Sequence, residues 1–138
     1  MIDSSPEKAP APLTEEVIGK IVEAFYTEAR HDPVLGPIFN GHVEDWQVHL
    51  DRIKAFWSSI MLGSGRYKGN PFAAHAPLAS EIDEAHFRRW LALWSTTVRQ
   101  FADEDVAVSL EAKAQKIAAS LRAGLLFHAE IMDPDRRA

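Results

Sequence analysis

Apolar residues recur every three or four positions along most of this chain, the period of an α-helix with one buried face. In the first such run, Val17, Ile18, Ile21, Val22, Phe25 and Ala29 share a face. Thr14 can cap its start, Glu15 and Glu16 suit the positive end of the helix dipole, and Leu13 and Ile18 have hydrophobic-staple spacing. Asp32-Pro33 stops the helix, because a residue before proline is pushed out of helical geometry. "VLGPIFN" then turns through Gly36 and Pro37 and leaves Ile38 and Phe39 as apolar residues on a short turn.

A second helix is expected from about Glu44 to Leu62, with Trp46, Leu50, Ile53, Phe56, Trp57 and Ile60 on one face. Gly63 and Gly65 end it. His49 lies three residues after Trp46 and four before Ile53, so it belongs to the same apolar face. A third helix, capped by Ser80 or Asp83, aligns Phe87, Trp90, Leu91, Trp94, Val98 and Phe101. The fourth, from about Val106 to about Ile131, places Leu110, Ala114, Ile117, Leu121, Gly124 or Leu125, and His128 at alternating spacings of four and three. No segment alternates as a strand does. The pattern predicts an all-α domain over 13–131. Residues 1–12, polar with three prolines, read as a disordered N-terminal tail, and 132–138 as a C-terminal tail.

Composition narrows the function. A chain of 138 residues with 46% hydrophobic residues makes one domain with a real core. Its net charge of -5 and the absence of any basic block argue against a nucleic-acid surface. Without cysteine there are no disulfides and no thiolate metal sites. No basic segment followed by an apolar run opens the chain, and no apolar stretch reaches membrane-spanning length. A soluble cytoplasmic protein is the expectation.

The sharpest chemical feature is "GRYKGNPFAAHAPL". Between Pro71 and Pro77 there is room for one short turn, and it carries His75. So brief a helix cannot stabilise itself, because nucleation is costly. Something must hold it. A bond from His75 to a haem iron would do so, since neutral imidazole is a common haem ligand; the alternative is an ordinary surface histidine. Tyr26 and His49 sit at the apolar edges of two helices. They could converge as hydrogen-bond donors to a ligand, or be a boundary tyrosine and a satisfied core histidine. Trp46, Trp57, Trp90 and Trp94 are either core filler or the walls of a slot for a planar cofactor. Glu28 and His31 form a single Glu-x-x-His pair, whereas a dinuclear bundle needs two with further glutamates. There is no His-Glu-x-x-His, no Gly-rich phosphate loop and no nucleophile elbow.

Together, "EAFYTEARHDPVLGPIFN", "WQVHLDRIKAFWSSIMLGSGRYKGNPFAAHAPL" and "HFRRWLALWSTT" resemble the group III truncated haemoglobins of bacteria, from roughly Leu13 to about Gly124. The resemblance implies a shortened globin, a two-over-two helical sandwich around haem b. His75 matches the proximal iron ligand. Tyr26, His49 and Trp90 match the distal ligand-binding residues, and Phe39 a phenylalanine at the haem edge. Phe56 and Trp57 match an aromatic pair lining the haem cavity, and Tyr67 a tyrosine near a propionate. The implied function is reversible binding of O2, or of CO, NO or cyanide, by a monomer or weak dimer. Peroxide reduction or NO dioxygenation at the same iron, fed by an unknown reductase, is the enzymatic alternative. A haem-free helical interaction module is the third. Two departures stand out: "NGHVED" is a brief loop before the second long helix, and residues 1–12 extend the usual start.

Overall fold

A computed structural model describes residues 12–132, with side-chain environments up to residue 125. The expected tails fall almost wholly outside these residues, as does the side chain of His128. The elements are α1 (Glu15–Ala29), α2 (Gly36–His42), α3 (Trp46–Leu62), α4 (Pro71–His75) with a 3₁₀ turn at Ala76–Leu78, α5 (Glu84–Phe101) and α6 (Glu104–Met132). Every described element is helical, as the apolar period predicts. Helix α1 packs on α3 and on α5, α5 packs on α6, and α4 rests on α6. The α1–α3 pair lies over the α5–α6 pair, which is the two-over-two sandwich. Among the described residues no helix is long and apolar enough to cross a membrane.

Side chains set most boundaries. The Thr14 hydroxyl accepts from the Val17 amide at 3.2 Å and starts α1. Asp45 caps α3 through the Val48 amide, and Gly63 ends it at φ 66°, a left-handed conformation that suits glycine. Asn70 caps α4, with Pro71 in the first turn, where its missing amide N–H costs nothing. Asp83, not Ser80, caps α5, in a capping box closed by His86.

Two expectations need correction. The turn assigned to Ile38 and Phe39 is the seven-residue helix α2. Its first residue gives no side-chain cap, but Pro37 presets its first turn. Phe101 belongs to the predicted α5 stripe, yet it is 39% exposed, while Leu93 and Thr97 are buried. Over five turns a stripe drawn at three-and-four spacing drifts, and the face that meets α1 and α6 passes through Leu93, Trp94, Thr97 and Val98.

The core centres on α1. Ile18, Ile21, Val22, Phe25 and Ala29 are buried, with Trp57 from α3, Trp94 and Val98 from α5, and Ala107, Leu110 and Ala114 from α6. Trp57 stacks on Trp94 at 4.5 Å between ring centroids, and Phe25 meets Trp94 edge-on at 5.5 Å. The Trp94 indole N–H donates to the Leu110 carbonyl at 3.2 Å, so this buried polar atom is satisfied. On α6, small residues allow close approach. Gly124 faces Phe72 of α4, and a methyl group in its place would meet that ring at 2.9 Å.

The corner between α1 and α2 is fixed by charge. Asp32 is buried, and one carboxylate oxygen accepts from the amides of Val34 and Leu35 at 3.0 Å each. The other accepts from the Arg89 guanidinium of α5 at 2.6 Å. Burial alone would raise this carboxyl's pKa. The Leu35 amide, Arg89 and the Val34 amide outweigh it and hold the group below the usual aspartate range. Gly36 follows, and a Cβ there would lie 2.8 Å from the Arg30 carbonyl oxygen, so the corner admits only glycine without rearrangement.

Asp32→Ala should therefore destabilise the fold by about 2–3 kcal/mol, the scale of losing buried hydrogen bonds to a charged group. The sign with pH follows from a depressed native pKa. The stabilisation is complete above the unfolded aspartate value of about 3.9 and is lost as pH falls through the native value. Urea midpoints measured from pH 7 downward should show the gap between wild type and variant narrowing only in strong acid.

Candidate functional site

Tyr26 occupies the last full turn of α1 and is only 6% exposed. Its neighbours are aromatic: Phe25 at 4.8 Å, Phe39 of α2 at 5.2 Å, and from α3 His49 at 5.0 Å and Trp46 at 6.0 Å. Burial pushes the phenol's pKa well up, so Tyr26 stays a protonated O–H donor throughout the physiological range.

His49 approaches from α3. Its ring sits edge-on to Tyr26 and to Trp46, the latter at 5.4 Å, with Phe39 at 6.2 Å. Its Nε2 is buried, and no described residue gives it a hydrogen-bond partner. Burial, then repulsion from His75 and Arg52, lowers its pKa to about 4, so the ring is neutral at pH 7. A buried ring nitrogen without a partner is costly in a finished core and useful in a binding site.

His75 ends α4 and is half-buried. Its Nδ1 lies 2.7 Å from the Pro71 carbonyl oxygen. A carbonyl can only accept, so Nδ1 carries the proton and the lone pair sits on Nε2. That is how a histidine is prepared to ligate a metal.

The remaining predicted residues divide. Phe39 joins the Tyr26–His49 cluster. Phe56 meets Tyr67 at 5.2 Å and Trp57 at 5.7 Å, near the C-terminal end of α3. Trp57 itself is buried against Trp94. Trp90 is half-buried, stacks parallel to Trp94 at 6.1 Å and reaches Tyr26 only through Phe25. The structure thus brings Tyr26, Phe39 and His49 together, and Trp90 stands one ring away.

Sequence reasoning named Tyr67 but missed Arg52 and Lys68 in the polar lining of a groove beside these residues. An open groove of about 720 Å³ runs between α3 and the segment leading into α4, lined by Val48, Arg52, Ala55, Tyr67, Lys68 and Ala74 among others. Val48 and Ala74 are the chain neighbours of His49 and His75, although neither histidine lines the groove. The volume is that of a cofactor site. Arg66 also lines it but is held by Glu15 at 2.6 Å, within a network in which buried Ser58 bonds Glu15 and Ser64. Among the described residues Arg52 and Lys68 have no carboxylate partner. Arg52 could have been found from its place one turn after His49; nothing in sequence marked Lys68.

No protein-family model matches the chain. The chain is 34% identical over 110 residues to the group 3 truncated hemoglobin ctb of Campylobacter jejuni, covering 77% of this chain and 86% of that protein. Its fold matches the crystal structure of the group III truncated hemoglobin from Campylobacter jejuni with a TM-score of 0.77 and 32% identity, over 83% of this chain and 92% of the other. THB1 of Chlamydomonas reinhardtii matches with a TM-score of 0.58 and 31% identity, over 80% and 88% of the two chains.

The unpartnered Nε2 makes a stability prediction. His49→Leu fills similar space without an unsatisfied nitrogen, so it should raise stability at pH 7 by about 1–3 kcal/mol. It should also flatten the pH dependence. In wild type the native pKa of about 4 lies below the unfolded value, so stability is full above the unfolded pKa and falls with pH down to the native value. Urea midpoints at pH 7 and pH 5 for both proteins check both effects.

Proposed function

The chain belongs to the group III truncated haemoglobins, a family of globin-type haem proteins, and from that premise we propose that it binds haem b and reversibly holds O2 on the side of Tyr26 and His49. The observation that carries the reading is the pairing of two imidazoles. His75 has its Nδ1 proton committed to the Pro71 carbonyl, leaving Nε2 to bind iron. His49 offers a buried, neutral ring whose Nε2 has no protein partner among the described residues. Each is what a haem site asks of its two faces.

The residues present suit the cofactor. Haem carries two carboxylates and a large apolar body. Arg52 and Lys68 stand unpaired at the groove and could receive the carboxylates, and Tyr67 stands beside them. When bound, the iron supplies reversible binding of a diatomic ligand. The protein's part is donation and exclusion. Tyr26 points a hydroxyl that cannot ionise near neutrality, and the rings of Phe25, Phe39 and Trp46 around it keep water away. Trp90, one ring further, serves as a second N–H donor. His49 lacks a hydrogen bond to tether it and gates entry of the ligand. The short α4 needs no stability of its own, because ligation at His75 and its seat on α6 hold it.

The absorption spectra of the purified protein in ferric, ferrous and CO-bound forms test the reading directly. His75→Gly should lose most of its haem or keep it only with added imidazole, and should melt lower, because a cofactor bound only by the native state stabilises it. An unchanged Soret band in that variant overturns the assignment of His75.

Tyr26→Phe removes one hydroxyl and keeps the ring. A hydrogen bond to a partly charged ligand is worth roughly 1.5–3 kcal/mol, or about ten- to a hundredfold in affinity. O2 should dissociate faster by about that factor while CO, which carries less charge, leaves at nearly its wild-type rate. Equal shifts for both gases would make Tyr26 a packing residue.

A further inference from the structure

Resting on the haem reading above, we propose that Arg30 is a positioning residue for the distal gate: its guanidinium clamps the Trp46 ring, and Trp46 holds His49 in the closed orientation.

His49 is not held by a hydrogen bond at its buried nitrogen: Nε2 has no partner among the described residues, so no polar contact at that atom fixes the ring. Its orientation depends on three rings packed around it, Tyr26, Phe39 and Trp46. Tyr26 is buried in the last turn of α1, and the half-buried Phe39 packs against it. Trp46 is different. It is the first residue of α3, and one face of its ring meets a cation from the end of α1.

Arg30 covers that face. Its guanidinium carbon lies 4.2 Å from the Trp46 ring centroid, close cation–π geometry. Among the described residues no carboxylate pairs with Arg30, so the indole is the contact that directs its side chain. The backbone beneath is fixed twice over. The Arg30 carbonyl accepts from the Asn40 side-chain amide at 3.0 Å, and Gly36 approaches it so closely that a Cβ would lie 2.8 Å away. The cation is therefore presented from a rigid corner onto the one ring of the cluster that sits at a helix end. On its other side that ring meets His49 at 5.4 Å and 83°, edge against face. Moving His49 out of the pocket must displace Trp46 or slide past it, and either motion works against the Arg30 contact.

The test uses the haem-loaded protein and CO association followed after flash photolysis. Arg30→Ala should speed association about two- to fivefold, the factor expected for losing a solvent-accessible cation–π contact. CO dissociation should stay at the wild-type rate. Arg30→Lys, which keeps a cation and disturbs packing little, should lie between the two. In the His49→Leu background the effect of Arg30→Ala should vanish, because there is no gate left to hold. An unchanged association rate in Arg30→Ala, or the same acceleration with and without His49, overturns the proposal. If the alanine variant fails to fold, association at the wild-type rate in Arg30→Lys overturns it equally. Wild-type protein that takes up no haem overturns the haem reading as well, whereas loaded protein with equal rates overturns the Arg30 assignment alone.

Discussion

Everything at the site hangs from the corner that Asp32 closes. Helix α1 has to serve two neighbours, α3 and α5, and then hand the chain to α2 without losing its place. The buried Asp32 carboxylate does this by binding two amides of the turn and the Arg89 guanidinium of α5 at once. A buried charge is tolerable only when fully hydrogen-bonded, and here three donors meet it. Once that corner is rigid, the residues on either side of it are placed. Tyr26 lies one turn before, Phe39 follows on α2, and the Arg30 carbonyl serves as a fixed wall for Gly36 and Asn40.

Much of this is legible in the residues. The apolar period gives the long helices, and Thr14, Gly63 and Asp83 mark their ends by known capping chemistry. The meeting of Tyr26 with His49 could be expected because both sit on the edges of apolar faces. What the residues do not disclose has physical causes. Helix α2 is too short to show a period, so Ile38 and Phe39 read as a turn. Ala107 and Ala118 are buried because α6 needs small residues where neighbours come close, and alanine carries little hydropathic signal. Trp57 could line a cofactor slot or fill the core by its spacing alone; the structure stacks it on Trp94. Arg30 over Trp46, and Arg52 beside Lys68 at the groove, are contacts between elements. No local pattern encodes those.

The site also explains a tension in the sequence. A core histidine with no hydrogen bond at its buried nitrogen lowers stability, and a five-residue helix between prolines contributes almost none. Both are weak points that a fold selected for stability alone would remove. They lie on α3 and α4, outside the stacked pair of Trp57 and Trp94.

The seat of α4 has a consequence for how the chain is made. Phe72 rests where Gly124 leaves room on α6, about fifty residues later in the chain. A ribosome releases residues in order, and at about 5–20 residues per second the stretch between these two positions takes several seconds to appear. During that interval His75 exists, but the surface beneath its helix does not. The contact that seats α4 forms only after Gly124 has emerged, so this short helix docks late and does not nucleate the fold.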